Sequence, residues 1–232
     1  MPEFAVIIPA AGQSTRFGGQ TSKLFQHLAG RPVLTWTLAA FVNRADVRQI
    51  VIATTDPDAI RDCAGSLDKS VLAKLKICPG GTCRADSVRV AALACDSSIE
   101  WVAVHDAARP LVSQAVIDRT FQAALAHGAT AAAMPVHLTI KQAAGPLPAQ
   151  VKQTVPRHNL WAMQTPQAMR RKDLLDAFAA CPIPLDQITD DVQLLELVNK
   201  PVWLVEGEER NLKITTPLDL QIAHVLISGS PS

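Results

Sequence analysis

Three short segments of the chain collect the residue types that anion chemistry requires, and each follows an apolar run. The first is Pro9-Ala10-Ala11-Gly12-Gln13-Ser14-Thr15-Arg16-Phe17-Gly18-Gly19, followed closely by Ser22-Lys23. Small residues let backbone N–H groups approach an anion, and Arg16 and Lys23 add positive charge. The segment is neither a Walker loop nor G-x-G-x-x-G. It reads as a phosphate-binding turn, against the alternative of a surface turn with two solvated cations. The second is Pro79-Gly80-Gly81-Thr82-Cys83-Arg84-Ala85-Asp86-Ser87. A helix is expected to begin near Arg84. That places Ser87 in a first turn with unpaired N–H groups, where its hydroxyl could meet a ligand edge. The alternative is a glycine turn in which Asp86 favours the helix N-terminus. The third is His105-Asp106-Ala107-Ala108-Arg109-Pro110. Asp106 is a natural ligand for Mg²⁺ held by substrate phosphates, and Arg109 could clamp a phosphate through two hydrogen bonds. An ion pair between Asp106 and Arg109 would close the same turn without any ligand. His105 reads as structural.

Other polar positions carry weaker signals. Thr139, Lys141 and Arg157 lie in or beside a polar stretch, Thr165-Pro166-Gln167 reads as a turn, and Lys213 sits in Asn211-Leu212-Lys213-Ile214-Thr215. Thr189-Asp190-Asp191 with Gln193 looks like a helix start with a capping pair, Asp190 and Gln193, in preference to a second metal site.

The elements that must position these residues alternate between strand and helix. Short apolar or β-branched runs at 4–9, 49–55, 75–78, 101–104 and 130–136 read as strands, with a further strand at 160–164 and a late one at 202–205. Helical spacing marks Leu34, Leu38, Phe41 and Val42, then Val88, Ala91, Ala92 and Cys95, then Ile117, Phe121, Ala124 and Leu125. Helices are also expected near 172–180 and 192–198, and over Leu218, Ile222, Val225 and Leu226. This alternation predicts an α/β fold, a mostly parallel sheet covered on both faces. Ligands of such sheets bind outside the carboxyl ends of the strands, where the three segments fall. The rhythm breaks at 137–156. Two short runs flank Gly145, Pro146 and Pro148 there and read as a hairpin arm with little core of its own.

The chain has 232 residues, 48% of them apolar and 19% charged, which excludes a disordered protein. Its 22 basic and 21 acidic residues leave a formal charge of +1. A nucleic-acid surface or polybasic membrane anchor should leave a larger imbalance. No apolar run is long enough to span a membrane, and no signal peptide is expected. Five cysteines without C-x-x-C fit free thiols in a reducing cytoplasm.

Taken together, PAAG-x-x-x-RF (9–17), GGTCRADSV (80–88), VHDAARPLV (104–112), TPQ (165–167), ITDD (188–191) and EGEERNLKIT (206–215) resemble the 2-C-methyl-D-erythritol 4-phosphate cytidylyltransferase family of non-mevalonate isoprenoid synthesis. The resemblance implies one Rossmann-like, three-layer α/β/α nucleotidyltransferase domain over 1–232, with a β-arm at about 137–157 that makes a homodimer. It implies transfer of CMP from CTP to methylerythritol phosphate, with Mg²⁺ as cofactor, in the cytoplasm. Ala10, Ala11, Gly12, Gly81, Arg84 and Ser87 would bind CTP, and Arg16 and Lys23 would stabilise triphosphate charge in the transition state. Asp106 would face Mg²⁺ and the diol of the acceptor. Arg109, Thr165 and Lys213 would line the sugar-phosphate site, which Thr139 and Arg157 would enter from the other subunit. Arg157 and Lys213 would position the attacking phosphate. The chain departs from the family pattern at Ser14, where a glycine is usual, at Ser22-Lys23-Leu24-Phe25 in place of P-K-Q-[YF], and at Thr82, where an acidic residue is usual. No fused synthase domain is expected after the last helix. CDP-ribitol pyrophosphorylases tend to carry LAGG and HDAVRP where this chain has PAAG and HDAARP. A non-catalytic nucleotide-binding module is the other alternative.

Overall fold

Strand β1 (Phe4–Pro9) shows how the fold is built. Phe4, Val6 and Ile8 enter one buried cluster, while Ala5 and Ile7 enter another on the opposite side. A strand covered on both faces needs apolar residues at every position, hence the unbroken run. The structure is a computed structural model that describes residues 2–12, 17, 22–65, 67 and 69–229. After β1 come the two-residue strands β2 (His27–Leu28) and β3 (Arg31–Pro32), then α1 (Val33–Val42), β4 (Val47–Thr54), α2 (Pro57–Gly65), α3 (Lys69–Lys74) and β5 (Leu75–Pro79). Next are α4 (Arg84–Ala94), β6 (Trp101–Val104), α5 (Gln114–His127) and β7 (Ala129–Pro135). The chain continues through β8 (Ile140–Ala143), β9 (Val151–Val155), β10 (Trp161–Arg170), α6 (Arg171–Ala179), α7 (Asp191–Leu197), β11 (Trp203–Glu206) and α8 (Pro217–Ser228).

Seven strands form one sheet in the order β11-β7-β10-β6-β1-β4-β5. All neighbours are parallel except β10, which is antiparallel to both β6 and β7. Helices α1, α2 and α5 pack on one face and α4, α6 and α7 on the other, so the expected three-layer α/β/α architecture is present. Local chemistry sets the helix ends. Ser113 caps α5 through the Val116 N–H, and Gly128 ends it at φ +92°, a conformation that favours glycine. Thr216 and Asp219 form a capping box at the start of α8.

Two sequence readings are corrected. The 160–164 strand does not end in a turn at Thr165-Pro166-Gln167. Strand β10 runs through these residues, and its register against β7 shifts between Met163 and Gln167. That irregularity accommodates Pro166, which has no N–H for a ladder. Helices α2 and α3 fill a stretch to which the sequence reading assigns no element; α2 buries Ile60, Cys63 and Ala64, the i, i+3, i+4 spacing of an amphipathic helix. At the start of α7, Asp190 accepts the Gln193 N–H as expected, but the Gln193 side chain turns to the Thr189 amide and hydroxyl. The hairpin at 137–156 is present as the antiparallel pair β8–β9, exposed along nearly its whole length.

Candidate active site

The site lies where four neighbouring strands end. Beyond the strands, the ladder is extended by the Ala10 N–H donating to Ala53 O at 2.7 Å, Gly80 N–H to Thr54 O at 2.9 Å and His105 N–H to Ile7 O at 2.9 Å. The three expected segments therefore leave the sheet side by side. Between them is a cavity of about 630 Å³ lined by Ala10–Gly12, by the turn 81–84, Ser87 and the turn 106–108, with Lys23 and Lys213 on its wall. Arg16 and most of the loop that carries it lie outside the described residues.

One side of the cavity is built from backbone. A Cβ on Gly80 would stand 2.2 Å from Ala11 Cβ, so the first two segments touch only because residue 80 has no side chain. Ser87 Oγ accepts the Gly81 N–H at 3.0 Å and donates to Cys83 O at 2.9 Å, bracing the glycine turn on α4. Asp86 accepts the Thr82 N–H at 2.9 Å and is paired with Arg89; these bonds lower its pKa. The expected helix-start role of Asp86 is thus present alongside the turn.

The other side is built from charge. Asp106 Oδ1 accepts from Arg84 Nε and Nη2, both at 3.2 Å. Its Oδ2 accepts from Arg109 Nε at 3.1 Å and lies 3.1 Å from Lys213 Nζ. Burial opposes the charge on Asp106, but Arg84, Lys213 and Arg109 together outweigh it and hold its carboxyl far below the ordinary range. Lys213 reaches this place from a distant segment because the Ile214 N–H donates to Ala108 O at 2.8 Å and Arg109 Nη1 donates to Asn211 O at 2.8 Å.

Several expected positions fall elsewhere. Arg109 is buried behind Asp106, with Nη2 turned to Met163 O, and does not line the cavity. The ion pair with Asp106 that could close the turn without a ligand is the arrangement present. Thr165 is also buried behind Asp106. Its hydroxyl accepts the Asp106 N–H at 3.0 Å and meets His105 Nδ1 at 3.1 Å. His105 Nε2 faces Arg109 O at 3.2 Å, so the network assigns the proton to Nε2 and leaves Nδ1 to accept from Thr165. Burial pushes the His105 pKa down to about 4. The imidazole is a neutral interior brace and offers no base to the cavity. Thr139 and Arg157 are exposed on and beside the arm and do not line the cavity of their own chain; Arg157 Nη1 donates to His137 O.

Two supporting pairings lie beyond what spacing shows, Arg84 with Asp191 and Gln164 with the 208–211 segment. Arg84 uses four of its five donors on carboxylates: two bonds go to Asp106, and two go to Asp191, at 3.0 and 2.8 Å. Gln164 accepts the Glu208 N–H at 3.2 Å and the Asn211 amide at 3.1 Å, tying β10 to the segment that carries Lys213. Their signals are the ITDD and EGEERNLKIT runs, whose partners become visible only in three dimensions.

The residues do not make a metal cage. Among the described residues no three His, Cys, Asp or Glu side chains converge on one point. Both Asp106 oxygens are already occupied by three cations, so Asp106 does not fit as an inner metal ligand in this arrangement. Chemically, the cavity offers backbone and small residues together with two ammonium groups and, among the described residues, no nucleophile–base pair. It suits transfer between phosphates, driven by positioning and charge.

Comparison with known proteins agrees with this geometry. The sequence model described as "IspD: 2-C-methyl-D-erythritol 4-phosphate cytidylyltransferase" matches residues 4–228. The chain is 42% identical over 224 residues to the 2-C-methyl-D-erythritol 4-phosphate cytidylyltransferase of Gloeobacter violaceus, covering 96% of this chain and 95% of that protein. It is 40% identical to the bifunctional enzyme IspD/IspF of Desulfotalea psychrophila over 96% of this chain, a match that takes up 56% of that longer protein. The crystal structure of 2-C-methyl-D-erythritol 4-phosphate cytidylyltransferase from Thermus thermophilus superposes with a TM-score of 0.78 at 34% identity, covering 97% of this chain and 99% of that one.

Proposed function

The chain belongs to the 2-C-methyl-D-erythritol 4-phosphate cytidylyltransferase family, and on that premise we propose how its residues divide the work. It is a CTP-dependent nucleotidyltransferase of non-mevalonate isoprenoid synthesis. It transfers CMP from CTP to 2-C-methyl-D-erythritol 4-phosphate, giving 4-diphosphocytidyl-2-C-methyl-D-erythritol and pyrophosphate. An oxygen of the acceptor phosphate attacks the α-phosphorus of CTP. The new P–O bond forms as the bond to the bridging oxygen of the β-phosphate breaks, and pyrophosphate leaves with the electron pair. The nucleophile is already anionic at neutral pH, so no protein base is required.

The observation that carries the division of roles is the cavity itself. The backbone of Ala10–Gly12 and of Gly81 lines it together with Lys23 and the Asp106–Lys213 pair. The amide wall receives the nucleotide, and Lys23 with Arg16 neutralises the triphosphate. Lys213 turns from Asp106 to the acceptor phosphate, and the Asp106 oxygen it leaves accepts from the diol of the acceptor. Arg109 and Thr165 keep Asp106 and the Lys213 segment in place from behind. Thr139 and Arg157 are supplied by a second copy through the exposed arm, making the enzyme a homodimer. Mg²⁺ is the cofactor we assign, carried on the phosphates of CTP, where it would draw off charge. The five cysteines, none in a disulfide, support a reducing cytoplasmic setting.

The test is pyrophosphate release from CTP with a panel of sugar and polyol phosphates. Release is expected with methylerythritol phosphate and not with ribitol phosphate. The reverse preference would reassign the acceptor, and no release with any acceptor would leave only nucleotide binding.

A further inference from the structure

We propose that Asp191 is a positioning residue for the acceptor end of the site, holding the Arg84 guanidinium so that it fixes the Asp106 carboxylate and stays away from the nucleotide phosphates. The proposal rests on the placement of Asp106 against the acceptor given above, and goes beyond it to a residue that touches neither substrate.

The contacts form one continuous line. Asp191 is the first residue of α7 and is completely buried. Its backbone N–H donates to Gln167 Oε1 at 2.9 Å, and the Val192 N–H donates to the same oxygen at 3.1 Å. Gln167, itself buried in β10, also gives Nε2 to Asp190 Oδ2 at 3.2 Å. The start of α7 is therefore locked to the strand that runs beside β6, at whose end Asp106 stands. From this fixed base, the two Asp191 oxygens take Arg84 Nη1 and Nη2 in a fork, and the other edge of the guanidinium meets Asp106 Oδ1.

Charge gives the arrangement its purpose. Arg84 lines the cavity that would receive a polyanion, and a mobile guanidinium there would follow the triphosphate. With two carboxylates gripping four of its donors, it stays put. Asp106 keeps one oxygen ordered by Arg84 and presents the other to Lys213.

The test is a double-mutant cycle on Asp191→Asn and Arg84→Gln, read as kcat/KM for the acceptor. It is accompanied by thermal unfolding and by calorimetric CTP binding without acceptor. If Asp191 acts through Arg84, each single variant loses about 10–100-fold and the double variant is no worse than the poorer single. The Asp191→Asn protein should bind CTP as tightly as wild type or more tightly, because the released guanidinium can now reach phosphate. A purely structural role would lower the unfolding midpoint and multiply the two losses. Multiplying losses, an Asp191→Asn protein within threefold of wild type, or clearly weakened CTP binding would each overturn the proposal. Should Asp191→Asn fail to fold, Asp191→Glu takes its place in the same cycle, with the same expected non-additivity. Asp106→Asn is run beside them. If that variant keeps wild-type turnover, the placement of Asp106 against the acceptor fails, whatever Asp191 does.

Discussion

Lys213 Nζ stands 3.1 Å from Asp106 Oδ2, an ammonium and a carboxylate brought together from opposite halves of the chain. The pair sits at the edge of the cavity, with Lys213 partly exposed. An ammonium so placed can exchange a carboxylate for an incoming phosphate without travelling. Replacing it should remove charge stabilisation at the moment of transfer and leave the fold intact. Lys213→Ala is expected to lower kcat by about 10²–10³ with the unfolding midpoint near that of wild type. Lys213→Arg should recover part of the loss. Steady-state pyrophosphate release and a thermal melt check both points.

Lys23 lines the same cavity, whereas Lys172 lies exposed on α6, paired with Asp176 one turn along. An ion pair this exposed contributes little, because water screens it. Lys23→Ala should therefore cost at least about 10² in turnover, and Lys172→Ala should cost nothing measurable. Equal effects in a side-by-side assay would remove Lys23 from the reaction.

Gly80 is a packing requirement, because the Cβ of an alanine there would meet Ala11 Cβ at 2.2 Å. Two turns would have to separate, and both carry backbone assigned to the nucleotide. Gly80→Ala is expected to destabilise the protein by about 1–3 kcal/mol and to weaken CTP binding. Urea unfolding and CTP titration would show the two effects together. A variant with wild-type values in both would mean that the turns can shift freely.

His105 predicts an acid-side loss of stability. Burial lowers its pKa from 6.5 to about 4, so between those values the unfolded chain takes up a proton that the folded protein refuses. The contribution of His105 is thus fully present above pH 6.5 and fades as the pH falls toward 4, by about 3 kcal/mol in all. Asp106 and Asp191 titrate with shifts of opposite sign, so the comparison must be with a His105→Asn protein, which retains both. The gap in unfolding free energy between wild type and variant should narrow from pH 7 to pH 4.5. A constant gap would show that the imidazole titrates normally.

The parts of this molecule legible in sequence are those governed by local pattern. The limits of Phe4–Pro9 and of the strand 101–104 are readable because a strand buried on both faces must be apolar throughout. The cavity residues are readable because glycine, lysine and aspartate at strand ends have few other uses in a covered sheet. Direction is harder. Arg109 and Thr165 turn inward because Asn211, Met163 and His105 wait there, and nothing in their spacing announces those partners. Pro166 makes residues 165–167 look like a turn, yet the chain passes through as strand because β6 and β7 flank it. The spacing marks Arg84 as the start of a helix and gives no sign of Asp191, its partner from a segment more than a hundred residues on.

The exposed arm yields the last expectation. Leu138, Leu147 and Val151 are strongly exposed on or beside a hairpin that has no core, and Thr139 and Arg157 sit beside them. If a second copy receives this arm, each active site combines the body of one protomer with the Arg157 of its partner. Arg157→Ala and Lys213→Ala should then each be severely impaired alone, yet co-expressed chains should regain activity. In a mixed dimer one site would carry both defects and the other neither. Random pairing makes half the dimers mixed, so about a quarter of wild-type activity should return. Complementation requires shared sites, whereas a site complete within one chain predicts no recovery at any ratio of the two variants. Size-exclusion chromatography of an arm-deleted chain, 138–156 replaced by a short glycine-serine link, should show the dimer lost along with turnover.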